Sequence, residues 1–341
     1  MTSQFYAPGL MDLSGYRLEK AAPGREWDAF VEGSPQRSLF ARSAFLGAIK
    51  AYVDYWYCYK KEEKRAAVTV IRKDDGRIGT GHRLAIHDGI LLAQPKPAQN
   101  NAQKISEEFR TISFLVDALS SHYSALKMKF HRSFPDLRPF LWHNHGEDAP
   151  QYRPDIRYTT FLNLDPKDSA RDPTACPLYA NINKSRRQEI RYGIAEGIET
   201  TARIDYDVFR NFYTRTFQRQ GLPPENDLDQ LMAIIKALDG EGNLRMFISR
   251  TKKEEPGSIA VFGIDGAEAT YLYGANNPDL RDSHTGTMVL WDGFRALAGE
   301  GISCINLEGV NSPARGYFKL SFGGSLAPYF LVSLSSNRAD K

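Results

Sequence analysis

The feature that most constrains this chain is the succession of patterns between residues 244 and 307. Three runs rich in β-branched and aromatic residues follow one another, at 244–250, 258–264 and 268–273. The pair Asp265-Gly266 between the last two suits a tight hairpin. One amphipathic stretch, 287–297, comes next, with Gly299 and Gly301 behind it, and then a short apolar run, 302–307. Three adjacent strands, one helix and one buried strand predict an α/β (α+β) fold built on a mixed sheet.

The first half repeats that logic. Its patterns predict a strand at 16–19, helices at 27–31 and 44–51, strands at 55–59 and 66–71, and a pair around 84–92. Asp74-Asp75-Gly76 is a turn signal among them. A long helix at 103–123 carries Ile105, Phe109, Ile112, Val116 and Leu119 on one stripe, and strands follow at 125–131 and 158–164. In the second half a single helix is predicted over 178–195. Asp205 reads as the N-cap of a helix ended by Gly221, and a third helix runs over 228–238 to Gly240. A last strand is expected at 329–334. The two halves share one order of elements without sequence repetition. The Pro- and Asp-rich stretch 165–177 is the best break between them, and 341 residues suit two domains.

Composition excludes several classes. Forty-four Lys and Arg face 41 Asp and Glu, a net charge of +3, too even for a protein held on nucleic acid by bulk electrostatics. DNA is therefore not an expected partner. Cys58, Cys176 and Cys304 are odd in number and scattered, which argues against a disulfide framework and a cysteine zinc site. His143 and His145 lack a nearby carboxylate or Cys cluster, so no metal is expected. No apolar run approaches the length of a membrane span and the first ten residues carry no signal pattern, so a cytoplasmic protein is expected, with peripheral membrane association left open. Nucleotide-binding glycine loops, His-Glu-x-x-His and Gly-x-Ser-x-Gly are absent from the sequence.

Four features are candidates for chemistry, each with a plain structural alternative. Lys184, Arg187 and Arg191 share one helix face, suited to phosphates or simply to solvent; Arg186 points to the other side. Ser283, His284, Thr285, Gly286 and Thr287 lead into the next helix, where free N–H groups and the helix dipole favour an anion. His284 is a candidate base or an ordinary loop residue. Tyr271 and Tyr273 lie on one face by the two-residue strand period, lining a cleft or packing on each other, and Gly274 permits close approach. Lys319, next to Phe318 and set among glycines, suits a desolvated cation aimed at negative charge, or a snorkelling surface lysine. Glu308, closing a buried strand, is a candidate base or a surface cap; Asn311 follows it.

The order and spacing of Asn183-Lys184-Ser185-Arg186-Arg187, Tyr271-Leu272-Tyr273-Gly274, Leu290-Trp291-Asp292-Gly293-Phe294 and Gly316-Tyr317-Phe318-Lys319-Leu320-Ser321-Phe322-Gly323-Gly324 resemble the FemAB-like branch of the GNAT acyltransferases. The resemblance covers residues 178–324, and more loosely 38–46. It implies two tandem GNAT-like domains, 1–165 and 166–319, with 320–341 free to cross back and complete the first. It implies transfer of an acyl group from acyl-CoA, or of an aminoacyl group, to an amine on a small-molecule or lipid-linked sugar or other cell-envelope or polysaccharide precursor. By position, Lys319 matches a catalytic lysine of that branch, and Tyr271 and Tyr273 match the aromatic strand lining its site. Tyr273, Glu308 and His284 complete the catalytic candidates. Ser283, Thr285, Gly286 and Thr287 would receive the donor phosphates. Lys184, Arg187, Arg191, Tyr271, Asn311 and Phe318 would hold substrate. The usual GNAT pyrophosphate loop is not cleanly present, because Arg281 to Gly286 is too long a spacing. Two other readings stand beside this one: an aminoacyl-tRNA-dependent transferase, and a non-catalytic module that binds a nucleotide-sugar or a partner.

Overall fold

A computed structural model describes residues 12–170, 172–219, 227–280 and 283–334. The expected helix stop at Gly221 and the loop residues Arg281 and Asp282 lie outside the described residues, as do the last seven of 320–341. The chain divides into two units, Met1–Arg157 with Pro328–Lys341, and Tyr158–Ala327.

The first unit contains β1 (Tyr16–Lys20), α1 (Arg25–Gly33), α2 (Ser43–Ala48), β2 (Tyr52–Lys60), β3 (Glu63–Arg72), β4 (Ile78–Gly79), β5 (Ile90–Leu92), α3 (Asn101–His122), β6 (Ala125–Lys129) and α4 (Arg138–Trp142). The predicted pair around 84–92 reduces to β5 alone, which pairs with β3. The second unit follows β7 (Tyr152–Asn163) with α5 (Pro177–Asn181), α6 (Lys184–Ala195), β8 (Glu199–Ala202), α7 (Tyr206–Arg219), α8 (Leu228–Gly240), β9 (Leu244–Arg250), β10 (Pro256–Asp265), β11 (Glu268–Asn276), α9 (Thr285–Gly299), β12 (Cys304–Asn306) and α10 (Pro313–Leu320). The chain ends in β13 (Ser325–Leu334).

Both units carry the same sheet pattern. In the first, the order is β1-β2-β3-β4-β6-β13, antiparallel except for the parallel β4–β6 pair. In the second, the order is β7-β12-β11-β10-β9-β8, antiparallel except for the parallel β11–β12 pair. A helix crossover is what a parallel pair demands, and α3 and α9 supply it. The strand beyond each parallel pair comes from far along the chain. The end of β13, Leu331–Leu334, pairs with β6, and the end of β7, 161–163, pairs with β12.

Apolar periodicity accounts for the two cores. Ile112, Leu115, Val116 and Leu119 of α3 pack with Val68, Val70, Leu126 and Met128 of the first sheet. Trp291, Phe294 and Leu297 of α9 pack with Phe247, Phe262 and Ile305 of the second. The predicted single helix over 178–195 is two helices. Asn183 sits extended between them, and its side chain accepts from the Arg186 N–H. An Asn offered a cap satisfies a helix-end donor more favourably than it continues a helix. Asp205 does cap α7, accepting from the Val208 N–H at 3.0 Å.

Candidate active site

The site begins where β11 and β12 part. They pair only at Glu268–Cys304, Ala269–Ile305 and Thr270–Asn306, although β11 runs on to Asn276. A cavity of about 440 Å3 opens on the part of β11 beyond Thr270, lined by Tyr271, Gly274, Asn276, His284, Gly286, Thr287 and Glu189, with Ile259, Val289, Leu290 and Phe318 as its apolar part.

The first end of α9 faces this cavity. His284 occupies its N-cap in the left-handed region, φ 59°, and offers no side-chain cap. Among the described residues the Thr285 and Gly286 N–H groups have no acceptor, because the first intrahelical bonds start at Thr287 and Met288. These donors, at the positive end of a fifteen-residue helix, favour an anion. The hydroxyls expected to help are already engaged. Ser283 Oγ donates to the Leu280 carbonyl at 2.6 Å and lies 3.0 Å from Thr285 Oγ1, which is 2.9 Å from Ser258 Oγ. Thr287 Oγ1 accepts from Arg186. An anion at this helix end would therefore meet backbone N–H groups, not a hydroxyl cradle. The corresponding crossover helix of the first unit differs: Asn100 and Gln103 close the start of α3 with a reciprocal capping box.

Tyr271 and Tyr273 do not share a face. The register slips between Val261 and Phe262, which pair with Tyr273 and Tyr271 and leave Leu272 as an extra residue. A bulge of this kind resets the alternation. Tyr271 then packs on Phe262 in the core, at 5.4 Å, while Tyr273 meets Phe209 of α7, at 6.1 Å. Burial raises both phenols, Tyr271 to about 12. A Cβ at Gly274 would collide with the Tyr271 hydroxyl, so glycine lets that ring lie along the strand.

Lys319, near the end of α10, is not among the residues that line the cavity; it stands behind Tyr271, which is. Its Nζ lies 5.1 Å from the ring centroid and donates to the Glu308 carbonyl at 2.6 Å. Burial lowers its pKa to about 8, against the pull of Glu308. Glu308 is itself buried and left-handed at φ 49°, followed by Gly309 at φ 57°. A Cβ on Gly309 would sit 3.0 Å from the ammonium, so this turn is shaped to admit the lysine. Lys319 donates to the Glu308 main-chain carbonyl, and the Glu308 carboxylate charge favours the ammonium. Asn311 is a clip: its amide exchanges two hydrogen bonds with the Tyr158 main chain, at 2.7 and 2.8 Å.

The basic stripe is corrected most. Lys184 and Arg191 are exposed, Arg187 is partly so, and the cavity touches none of the three. The face of α6 that meets α9 is Arg186, Glu189, Gly193 and Glu196. Arg186 donates to Thr287 and to Ser321 Oγ, and its guanidinium lies 4.4 Å over Phe318. Burial lowers its pKa. Glu189 Oε2 is 2.7 Å from His284 Nδ1, and Glu196 Oε1 is 3.5 Å from its Nε2. The 3-4-3 spacing of these four residues was the available signal. His143, the metal candidate, instead pairs with Asp117 at 3.0 Å. Among the described residues no group of three or more His, Cys, Asp or Glu is placed to hold a metal.

Residues 178–328 match the family described as acetyltransferase (GNAT) domain. This segment is similar to a GNAT domain. The whole chain has the tandem GNAT fold that the FemAB-like resemblance implied. It is similar to the crystal structure of FemX, at 14% identity and TM-score 0.62 over 92% of this chain and 96% of that one. It is similar to a tandem GNAT protein from the clavulanic acid biosynthesis pathway, at 10% identity and TM-score 0.52 over 95% and 100%. It is also similar to L-PGS from Bacillus licheniformis, at 12% identity and TM-score 0.52 over 93% of each chain. No curated protein matches its sequence. Among the described residues no helix is long and apolar enough to cross a membrane.

Proposed function

We propose that this chain is an N-acyltransferase that moves an acyl group from acyl-CoA, or an aminoacyl group, to an amine on a sugar or other cell-envelope precursor. The observation that carries the reading is the start of α9, without a side-chain cap, opening on a cavity beside β11. Free N–H groups at one end and an apolar wall beyond them suit a ligand with a phosphate-bearing part and an acyl part.

In this reading the Thr285 and Gly286 N–H groups receive donor phosphate. Tyr271 and Phe318 flank the acyl carbon. The neutral amine attacks the carbonyl carbon and the carbonyl π pair moves to oxygen. As that pair returns, the C–S bond of the thioester (the C–O bond of an aminoacyl ester) breaks, and the one proton the nitrogen loses passes to the leaving thiolate or alkoxide, directly or through solvent. Lys319 is the cation proposed to meet the developing oxyanion, since its ammonium makes a single hydrogen bond among the described residues and has donors to spare. Tyr271, raised to about 12, remains a protonated donor near neutral pH. The units 1–157 with 328–341, and 158–327, are proposed as the two GNAT-like domains, with the chemistry in the second.

The test is titration of the full chain with acetyl-CoA, longer acyl-CoAs, nucleotide-sugars and aminoacyl-tRNA, read by thermal stability. A ligand that binds only the native state raises its melting temperature by mass action. Stabilisation by an acyl-CoA, lost on replacing Gly286 by Pro, is expected. Stabilisation by nucleotide-sugars alone would mark a binding module, and by charged tRNA alone a tRNA-dependent transferase.

A further inference from the structure

The acidic side of the cavity has no part in the chemistry above. Glu189 lines it with one oxygen held by His284, while its other oxygen has no hydrogen-bond partner among the described residues. The arrangement has a sequence reason. Gly193 lies one turn after Glu189 on the α6 face that meets α9, and a Cβ there would collide with Met288. The missing side chain lets the two helices cross closely, and the crossing places Glu189 and Glu196 on either side of the imidazole. Tyr192 covers that ring at 5.4 Å. His284 holds a left-handed backbone that is uncommon outside glycine, as expected where surroundings over-determine a residue.

The same cavity is also lined by Ile259, Val289, Leu290 and Phe318. A molecule in it meets both a carboxylate and hydrocarbon. The Glu189 side chain is 39% exposed, and a carboxylate oxygen without a hydrogen-bond partner at a cavity wall favours a compact cation that can donate to it over a neutral isostere of the same shape. We propose that Glu189 is the specificity-determining residue of this site, that it selects a primary ammonium on the substrate, and that His284 is the positioning residue that aims it. This rests on the acyl-transfer reading and adds to it the charge state of the group that enters. The ammonium has two sources in that reading: the acceptor amine, or the α-ammonium of an aminoacyl donor.

Two matched pairs of probes separate the sources. Glucosamine against glucose imitates the acceptor, and glycinamide against acetamide imitates the donor. Each is titrated into the full chain and followed by the His284 ring resonance, assigned by its loss in His284→Asn, together with the dissociation constant. The ammonium member of at least one pair should bind about tenfold or more tighter than its neutral partner and move the His284 signal. Glu189→Gln, nearly isosteric, should abolish that preference at unchanged melting temperature. His284→Asn, in which Asn tolerates the left-handed backbone, should weaken the preference without abolishing it. Preference in the first pair assigns the acceptor, and in the second the donor. Equal binding within both pairs, or a preference that survives in Glu189→Gln, overturns the proposal. In that case the carboxylates serve only to brace the start of α9. Acyl-CoA binding is titrated separately, so failure of the acyl-transfer reading is seen on its own.

Discussion

At the residue scale Lys319 gives the sharpest expectations. Lys319→Ala should lower turnover by about a hundredfold, the size typical for loss of one oxyanion donor, in protein that remains folded by circular dichroism. Unchanged turnover would remove Lys319 from the chemistry. Its charge also sets a pH dependence. Its native pKa near 8 is lower than the ordinary lysine value of 10.5, so the charged form is disfavoured in the native state. Below about pH 8 both folded and unfolded chains carry the proton, and that cost is present in full. As pH rises from about 8 towards 10.5 the native chain releases its proton first, the unfolded chain binds more protons, and stability rises. Denaturant unfolding across that window should show this gain in the wild type and not in Lys319→Met. Activity that needs the ammonium should fall over the same range. In Lys319→Arg, where the cation persists, that descending limb should move to higher pH; a limb that stays in place belongs to another group.

Elements decide which residues meet. The bulge at Leu272 separates Tyr271 from Tyr273, and the close crossing at Gly193 selects one face of α6 over another. Gly323, between α10 and β13, tests how tightly that end is held. It has φ 83°, and a Cβ there would run into the Asn181 main chain, which cannot swing aside as a side chain can. Gly323→Ala should cost about 1–3 kcal/mol from the backbone conformation alone, with the collision added. Thermal unfolding of that variant within a degree of wild type would show that the turn relaxes freely. Most elements were legible in the sequence because their signals are local: the α3 and α9 stripes, the Asp205 cap, the Asp265-Gly266 hairpin. The break at Asn183 was legible in kind, since Asn prefers a cap, but the apolar positions Leu178, Ile182 and Ile190 run through it and suggest one helix. The short β8 carries the run Glu-Thr-Thr-Ala and has no apolar alternation to announce it.

For the whole molecule the contrast is between the two crossover helices. The start of α3 is closed by Asn100 and Gln103, and the start of α9 is not. One donor molecule per chain is therefore expected, a stoichiometry that calorimetric titration of acetyl-CoA would read directly. Two equivalents bound would contradict the assignment of the site to the second unit. The exposed cations give the converse expectation. Replacing Lys184, Arg187 and Arg191 together by Gln should leave acyl-CoA affinity within about twofold, because none of the three lines the cavity and solvent-screened charges contribute little at ordinary ionic strength.

What the sequence determined by itself is the kind of fold and the order of its parts. Those follow from periodicity, caps and turns, which are properties of a few neighbouring residues. It also marked Lys319, Tyr271 and the start of α9 as the region to watch. Only the tertiary structure decided which side chains share the cavity. It turned Tyr273 away and left the basic stripe in solvent. It engaged Asn311 in a main-chain clip, and it brought Arg186, Glu189 and Glu196 into contact with the start of α9. A bulge of one residue separates Tyr271 from Tyr273, one missing Cβ makes room for Met288 where α6 meets α9, and neither leaves a periodic trace along the chain.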